Sequence, residues 1–313
     1  MTSTGKTLLT AALVLAGCIA REAPAPSVRI ATTTSLENSG LLEQLRSAFL
    51  ADAGIEIEAH VVGSGKAFDL ARDGIVELAI THEPEGEAEL LRTGQVDEQT
   101  AFMANAFILV GPPANPARIP PGLPLIDAMR RLHQTGATFL SRGDESGTHV
   151  RERDLWARAG VDPGQSSGYR SMGQGMSALL RSASEMQGYA LTDETTFVAM
   201  KPVVRLQEFA RGGIGSANIY RVSLMRGRGQ QPSREARALY DWLVSEKGQS
   251  VIEAFGRSTG SGLVPLTKRE NGQRISYDGA SSAAGEMGNS EVESSHQAGP
   301  GSEPTPEWQK PAE

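Results

Sequence analysis

The sequence predicts an α/β protein. Strand-like apolar runs alternate with amphipathic helical stretches, as in a sheet covered by helices. The turns between them are rich in Gly, Ser and Thr. A hydrophobic fraction of 39% beside a charged fraction of 21% is that of an ordinary soluble fold, neither membrane-embedded nor disordered. With 313 residues the chain has room for one large or two ordinary domains.

The N-terminus stands apart from this pattern. Lys6 precedes the apolar run TLLTAALVLA (residues 7–16), which is too short to span a bilayer and fits the h-region of a signal peptide. It ends in Leu15-Ala16-Gly17-Cys18, which resembles the bacterial lipobox. Residues 1–18 are therefore expected to be a signal peptide whose removal leaves a diacylated Cys18, with 19–27 as a tether. A plain signal peptide with an incidental cysteine is the alternative. Cys18 is the only cysteine, so no internal disulfide can form. The net charge of −7 argues against nucleic acid or an acidic membrane surface as partner. It does not argue against an anionic ligand, because the local field in a cleft decides that.

The elements follow in order. Residues 27–33 (SVRIATT) read as a strand. Residues 38–53 read as a helix with Leu41, Leu42, Leu45 and Phe49 on one face and Gly54 as its stop. Residues 55–62 alternate and then turn apolar, as a strand entering a buried sheet does. A helix over 66–72, a strand over 76–80 and an apolar strand over 107–110 come next, closed by Gly111-Pro112-Pro113. A short strand over 138–140, a helix over 149–159 stopped by Gly160 and Pro163, a helix over 176–186 and a strand over 189–191 repeat the alternation. Residues 234–256 carry Ala238, Leu239, Trp242, Leu243, Val251, Ile252 and Phe255, the pattern of two packed helices. From 268 to 313 the chain fills with Gly, Ser, Ala, Glu and Pro, and is expected to be a disordered tail. No internal repeat has a fixed period.

Three strand-to-helix junctions share one chemistry: Thr32-Thr33-Thr34-Ser35, Gly63-Ser64-Gly65, and Ser141 through Thr148 (SRGDESGT). Helix starts have unpaired N–H groups and a partial positive charge, so they suit anions. Glycine lets backbone approach a ligand, and hydroxyls donate without adding charge. Ser and Thr are also the preferred helix N-caps, so one junction alone is better read as capping. Three together, one with an arginine, point to an anion. Arg142 presents a rigid donor fork for two oxygens at once; its alternative is a surface ion pair with Asp144 or Glu145.

TTTSLENSGLLEQL, VVGSGKAFDLARDG, THEP, FILVGPPANPA, SRGDESGTH, LWARAG, GQGMSALL and YALTD occur in this order. Together they resemble the tungstate-binding component of the Tup-type ABC importers, over residues 28–222 well and over the following helices loosely. The SRGDESGTH segment also resembles the phosphate-binding proteins. What the resemblance implies is a two-lobed type II periplasmic binding fold, with 28–110 plus 220–267 as lobe 1, 111–219 as lobe 2, and a ligand cleft between them. It implies contacts from Thr33, Thr34 and Ser64 on one lobe, from Arg142, Ser146, Gly147 and Thr148 on the other, and Gln174 and Gly175 near the cleft. It further implies an exported, membrane-anchored lipoprotein acting as a monomer. That protein would need no cofactor, would bind no nucleic acid, and would deliver tungstate to a membrane permease. Asn218-Ile219-Tyr220-Arg221 stands where the family tends to have Asn-Pro-Tyr-Gly, which leaves the local hinge geometry open.

Tungstate near neutral pH is an unprotonated dianion, so a carboxylate aimed at it would repel it. Asp144 is therefore expected to turn away and orient Arg142. Phosphate and molybdate remain alternative ligands. An enzyme is disfavoured: the residues around Ser146 lack nucleophile-elbow spacing, and Gly63-Ser64-Gly65-Lys66 lacks the first glycine and the Ser/Thr of a phosphate loop. The histidines at 60, 82, 133, 149 and 296 form no metal motif, and His149 is expected to be structural.

Overall fold

The computed structural model describes residues 25–213, 216–226 and 231–266. The expected signal peptide with Cys18, residues 19–24 of the tether and the 268–313 tail lie outside the described residues. The chain opens with β1 (Ser27–Thr33), α1 (Thr34–Asn38), α2 (Leu41–Ala53), β2 (Glu56–Val62), α3 (Ser64–Arg72), β3 (Leu78–Thr81), α4 (Pro84–Arg92) and the long β4 (Val96–Gly111). It continues through α5 (Leu125–Thr135), β5 (Phe139–Ser141), α6 (Gly147–Arg158), a short 3₁₀ turn at Pro163–Gln165, β6 (Tyr169–Ser171), α7 (Met176–Glu185), β7 (Ala190–Asp193), α8 (Glu194–Met200) and β8 (Gln207–Arg211). It ends in β9 (Ala217–Met225), α9 (Arg234–Val244), α10 (Glu246–Thr259) and β10 (Val264–Pro265).

One sheet runs β10-β4-β9-β3-β1-β2, with β1 parallel to β2 and β3, and β9 antiparallel to β3 and β4. β4 then changes partner. Between Val96 and Ala106 it pairs with β9, whereas Phe107 to Gly111 pairs with β7 and β8. A single strand thus leaves one sheet and enters a second.

Each sheet buries apolar residues on both faces, as parallel and mixed sheets under helices do. The first packs Val28, Ile30, Phe49, Phe102 and Trp242 on one side and Ala31, Phe68 and Leu90 on the other. The second packs Phe107, Met129, Phe139 and Trp156 on one side and Ile108, Leu140, Leu180 and Phe197 on the other. Trp156 meets Phe139 edge-on with ring centroids 5.3 Å apart, which fixes α6 against β5. Truncating such a buried aromatic costs about 3–5 kcal/mol.

The expected helix over 38–53 is two helices: Gly40, at φ +83°, takes a left-handed conformation that breaks the turn between α1 and α2. The expected strand over 107–110 is only the end of β4. Its earlier half carries Asp97, Glu98, Gln99, Ala104 and Asn105, residues of low strand propensity, and pairing with β9 overrides that preference. Helices α4, α5 and α8 and strands β6, β8 and β9 add to the elements read from sequence.

Candidate functional site

The candidate loops are built from helix starts. α3 begins at Ser64 after Gly63, α6 at Gly147 after Ser146, and α7 at Met176 after Gly175. Ser146 is a plain N-cap, since its Oγ accepts the His149 N–H at 3.4 Å. The other hydroxyls are not caps. Thr33 precedes α1 without a side-chain cap bond and instead pairs its Oγ1 with Ser35 Oγ at 2.8 Å. Ser64 Oγ is buried and has no hydrogen-bond partner at all. A buried hydroxyl without a partner costs about 1–3 kcal/mol.

The two halves meet at Gly147. A Cβ there would lie 3.1 Å from His82 Cε1, 3.3 Å from His82 Nδ1 and 3.4 Å from Ser64 Oγ. His82 Nε2 is 3.3 Å from Ser35 Oγ, which also accepts from Tyr220 Oη at 3.1 Å. Thr33, Ser35, His82, Gly147 and Ser64 thus form one connected wall. Below His82, the Asn218 amide N–H donates to Asn105 Oδ1 at 2.7 Å, and Asn105 donates to Thr195 Oγ1 at 2.6 Å and Asp193 Oδ1 at 3.1 Å. This polar chain lies where β4 and β9 run side by side.

On the other side Arg142 is buried at 7% exposure, and it forms the ion pair with Asp144 that the alternative reading named. Its Nε and Nη2 donate to Asp144 Oδ2 at 3.1 and 2.5 Å, and Asp144 Oδ1 accepts the Ser146 N–H at 3.2 Å. Asp144 therefore aims the guanidinium, as expected, and two of the five arginine donors are used. The Gln174 N–H donates to the Arg142 carbonyl at 3.1 Å, so the segment before α7 is tied to the arginine loop.

The electrostatics around His82 and Arg142 are set by burial and by positive charge. His82 is held down to about 4 by burial first and then by the positive charges of Arg142 and Arg151, so it stays neutral. His149 is lowered by burial although Glu145 opposes the shift; its Nδ1 accepts the Glu145 N–H at 3.1 Å, a structural role. Among the described residues no group of three or more His, Cys, Asp or Glu could hold a metal ion, and no helix is long and apolar enough to cross a membrane.

Of the expected site residues, the structure gathers Thr33, Ser64, Arg142, Ser146, Gly147 and Gln174 into this wall and its loops. Thr148 is buried in the first turn of α6. Thr34 is half-buried at the first position of α1, and Gly175 is the exposed residue before α7. Sequence reasoning did not assign Ser35, His82 or Tyr220. Ser35 was visible as the last hydroxyl of the first loop, whereas nothing local marks His82. The altered segment at 218–221 continues β9: Ile219 pairs with Ala104, which a proline could not do as a donor, and Arg221 Nη1 donates to buried Glu87 Oε2 at 2.8 Å.

Two sheets sharing a crossing strand, with helix starts from both facing one another beside a buried arginine, define a type II periplasmic binding protein. The model of the PBP superfamily domain matches residues 20–247. The tungstate-binding protein TupA of Peptoclostridium acidaminophilum is 35% identical over 259 residues, covering 79% of this chain and 90% of that protein. The chain belongs to this superfamily and, within it, to the family of the TupA proteins. Two solved structures agree. That of the tungstate ABC transporter from Geobacter sulfurreducens is 32% identical with TM-score 0.67, covering 73% of this chain and 98% of its own. That of the tungstate binding protein TupA from Desulfovibrio alaskensis G20 is 30% identical with TM-score 0.69, covering 78% and 100%. These relatives are named for binding and transport, not for catalysis.

Proposed function

We propose that this chain is an exported lipoprotein, anchored through Cys18, that captures tungstate and hands it to the permease of an ABC importer. The lobes are 28–110 plus 220–267 and 111–219, hinged on β4 and β9, and the anion is held between them by Thr33, Thr34, Ser64, Arg142, Ser146, Gly147 and Thr148, with Gln174 and Gly175 alongside. The observation that carries this reading is Ser64 Oγ, a buried donor with no partner, beside Gly147 at the start of α6. The names of the relatives favour tungstate. Asp144 supports an unprotonated anion, because both its oxygens are engaged by Arg142 and the Ser146 N–H and neither is offered to a ligand proton. Closure of the lobes on the anion presents the form that the permease accepts.

Thermal unfolding with tungstate, molybdate, sulfate and phosphate in turn tests the ligand. At about 1,000 times the dissociation constant a ligand stabilises by about 4.1 kcal/mol, a midpoint shift on the order of 10 °C for a fold of this size. Tungstate is expected to give that shift. A shift with phosphate alone would replace tungstate by phosphate, and no shift with any oxyanion would remove the reading. The anchor is tested by Cys18→Ser, which should release the protein from membranes; retention of the variant there would refute it.

A further inference from the structure

Ser64 Oγ is not the only buried polar atom beside Gly147 that lacks a partner. His82 is 7% exposed, and its Nδ1 makes no hydrogen bond either. A Cβ on Gly147 would stand 3.3 Å from His82 Nδ1 and 3.4 Å from Ser64 Oγ, so the two unmet atoms converge on one point at the start of α6. They come from different elements, Ser64 from the first turn of α3 and His82 from the turn between β3 and α4. Buried polar atoms are nearly always paired in a folded protein, so two unmet ones at one place call for an outside partner.

The opposite edge of the ring is fixed. His82 Nε2 lies 3.3 Å from Ser35 Oγ, which accepts from the Tyr220 hydroxyl at 3.1 Å and pairs with Thr33 Oγ1 at 2.8 Å. The ring also packs against Tyr220, with centroids 4.7 Å apart, and against Phe107 at 6.4 Å. An uncharged imidazole carries one N–H and one bare nitrogen. If Ser35 gives its proton to Nε2, the N–H is at Nδ1, on the side of Gly147. Thr33 then donates to Ser35 and enters the site through it. If Ser35 turns its proton to Thr33 instead, Nε2 carries the hydrogen and Nδ1 offers a lone pair, which repels an anion. The heavy atoms allow both arrangements, and an anion beside Gly147 selects the first.

We propose that His82 is a further anion-binding residue, donating through Nδ1–H to the oxyanion beside Ser64, with Tyr220, Ser35 and Thr33 holding the ring in the tautomer that allows it. This rests on the oxyanion reading above. Burial and the nearby charges of Arg142 and Arg151 keep the ring uncharged, so it adds a donor to the site without adding a charge. Ser64 and His82 then meet the anion as donors only, which suits an oxyanion that carries no proton. Asn218 is the protein's own competitor for Nδ1. Its amide acts on the ring, yet its Oδ1 is likewise buried without a hydrogen-bond partner.

Two amides that imitate the two histidine nitrogens separate the roles. In His82→Asn the short side chain places an N–H near the position of Nδ1 and leaves Ser35 unmet. In His82→Gln the longer one reaches the position of Nε2 and leaves nothing at Nδ1. Both are compared with wild type, on the full chain, by titration calorimetry with tungstate and by unfolding without ligand. His82→Gln is expected to lose at least about tenfold in affinity and His82→Asn less than about threefold, while His82→Asn is the less stable of the two. A histidine that only supports Ser35 gives the reverse order of affinities, which would overturn the proposal. Spectra of the chain labelled with nitrogen-15 at histidine give a second readout. With tungstate present, the ring that is missing from the spectrum of His82→Asn should carry its hydrogen on Nδ1 and be bare at Nε2; the opposite tautomer would overturn the proposal. Wild-type affinity in His82→Gln would do so as well and would assign Nδ1 to Asn218. In each of these cases wild type still binds tungstate, so the oxyanion reading stands. Failure of wild type to bind tungstate at all would overturn both together.

Discussion

His82 and Gly147 touch across the cleft: the imidazole Cε1 stands 3.1 Å from where a Cβ on Gly147 would be, and Nδ1 3.3 Å from it. Glycine at 147 thus leaves the room that the His82 ring and the Ser64 hydroxyl occupy. Its conformation is helical, so Gly147→Ala favours the helix itself by about 0.5–1 kcal/mol. Under the proposed lobe closure, the methyl group instead crowds His82 and Ser64 in the arrangement seen here. Gly147→Ala is expected to unfold no earlier than wild type yet to lose at least about tenfold in tungstate affinity, and Gly147→Val more. Unfolding midpoints with and without tungstate check both halves; an unchanged ligand-induced shift would show that the contact does not limit closure.

Arg142 should be the most sensitive position for binding. Two charge-assisted hydrogen bonds to an anion contribute about 1.5–3 kcal/mol each, so Arg142→Ala should weaken binding by at least about a hundredfold. The fold should survive, because Asp144 lies at the rim and keeps its bond to the Ser146 N–H. Arg142→Lys retains the charge and loses the planar fork that Asp144 aims, so it should recover only part of the affinity. Titration calorimetry reads this directly, and wild-type affinity in Arg142→Ala would remove the arginine from the site.

Much of this was legible in the sequence, for identifiable reasons. β1 and α7 were readable because apolar spacing and burial coincide in them, as at Val28 and Ile30 or Met176, Leu179 and Leu180; β2 was readable from its alternation, although as the edge strand it buries only Ile57. Arg142 and Ser64 were readable because glycine and hydroxyl residues at helix starts carry their own chemistry. β9 and the first half of β4 were not. Asn105 and Asn218 are buried polar residues that mimic a loop in sequence, and they are satisfied only across strands, by each other and by Asp193 and Thr195. His82 reads locally as the end of a strand before the proline that opens α4, and its place beside Gly147 exists only in the folded chain.

Acid should act on the site through His82. Its folded value, about 4, lies below the ordinary 6.5, so the folded protein holds fewer protons than the unfolded chain between those values. Its stabilising contribution is complete above about pH 6.5 and is lost as pH falls toward 4. Glu152, Glu87 and Asp193 are raised by burial and slope the other way, so the wild-type profile alone does not isolate the histidine. The difference in stability between wild type and His82→Gln does. It should grow by an amount on the order of 3 kcal/mol as pH rises from 4 to 6.5 and stay level above that. Chemical denaturation at several pH values would show this; a difference that does not change over the window would mean His82 is not held neutral.

Ser64 separates binding from stability most cleanly. Its Oγ is buried without a hydrogen-bond partner, so replacing it removes an unmet donor rather than a hydrogen bond. Ser64→Ala should therefore be as stable as wild type or slightly more so. With tungstate present the hydroxyl gains a charged acceptor, and its loss should cost about 1.5–3 kcal/mol, or about ten- to hundredfold in affinity. A residue that merely caps α3 would behave in the opposite way, because removing a cap costs about 1 kcal/mol of stability and leaves binding unchanged. Gly63, not Ser64, holds the cap position of that helix, with no side-chain bond. Paired unfolding and binding measurements on this one variant thus distinguish the two roles by sign: a loss of stability with intact affinity would return Ser64 to the helix and take it out of the anion site.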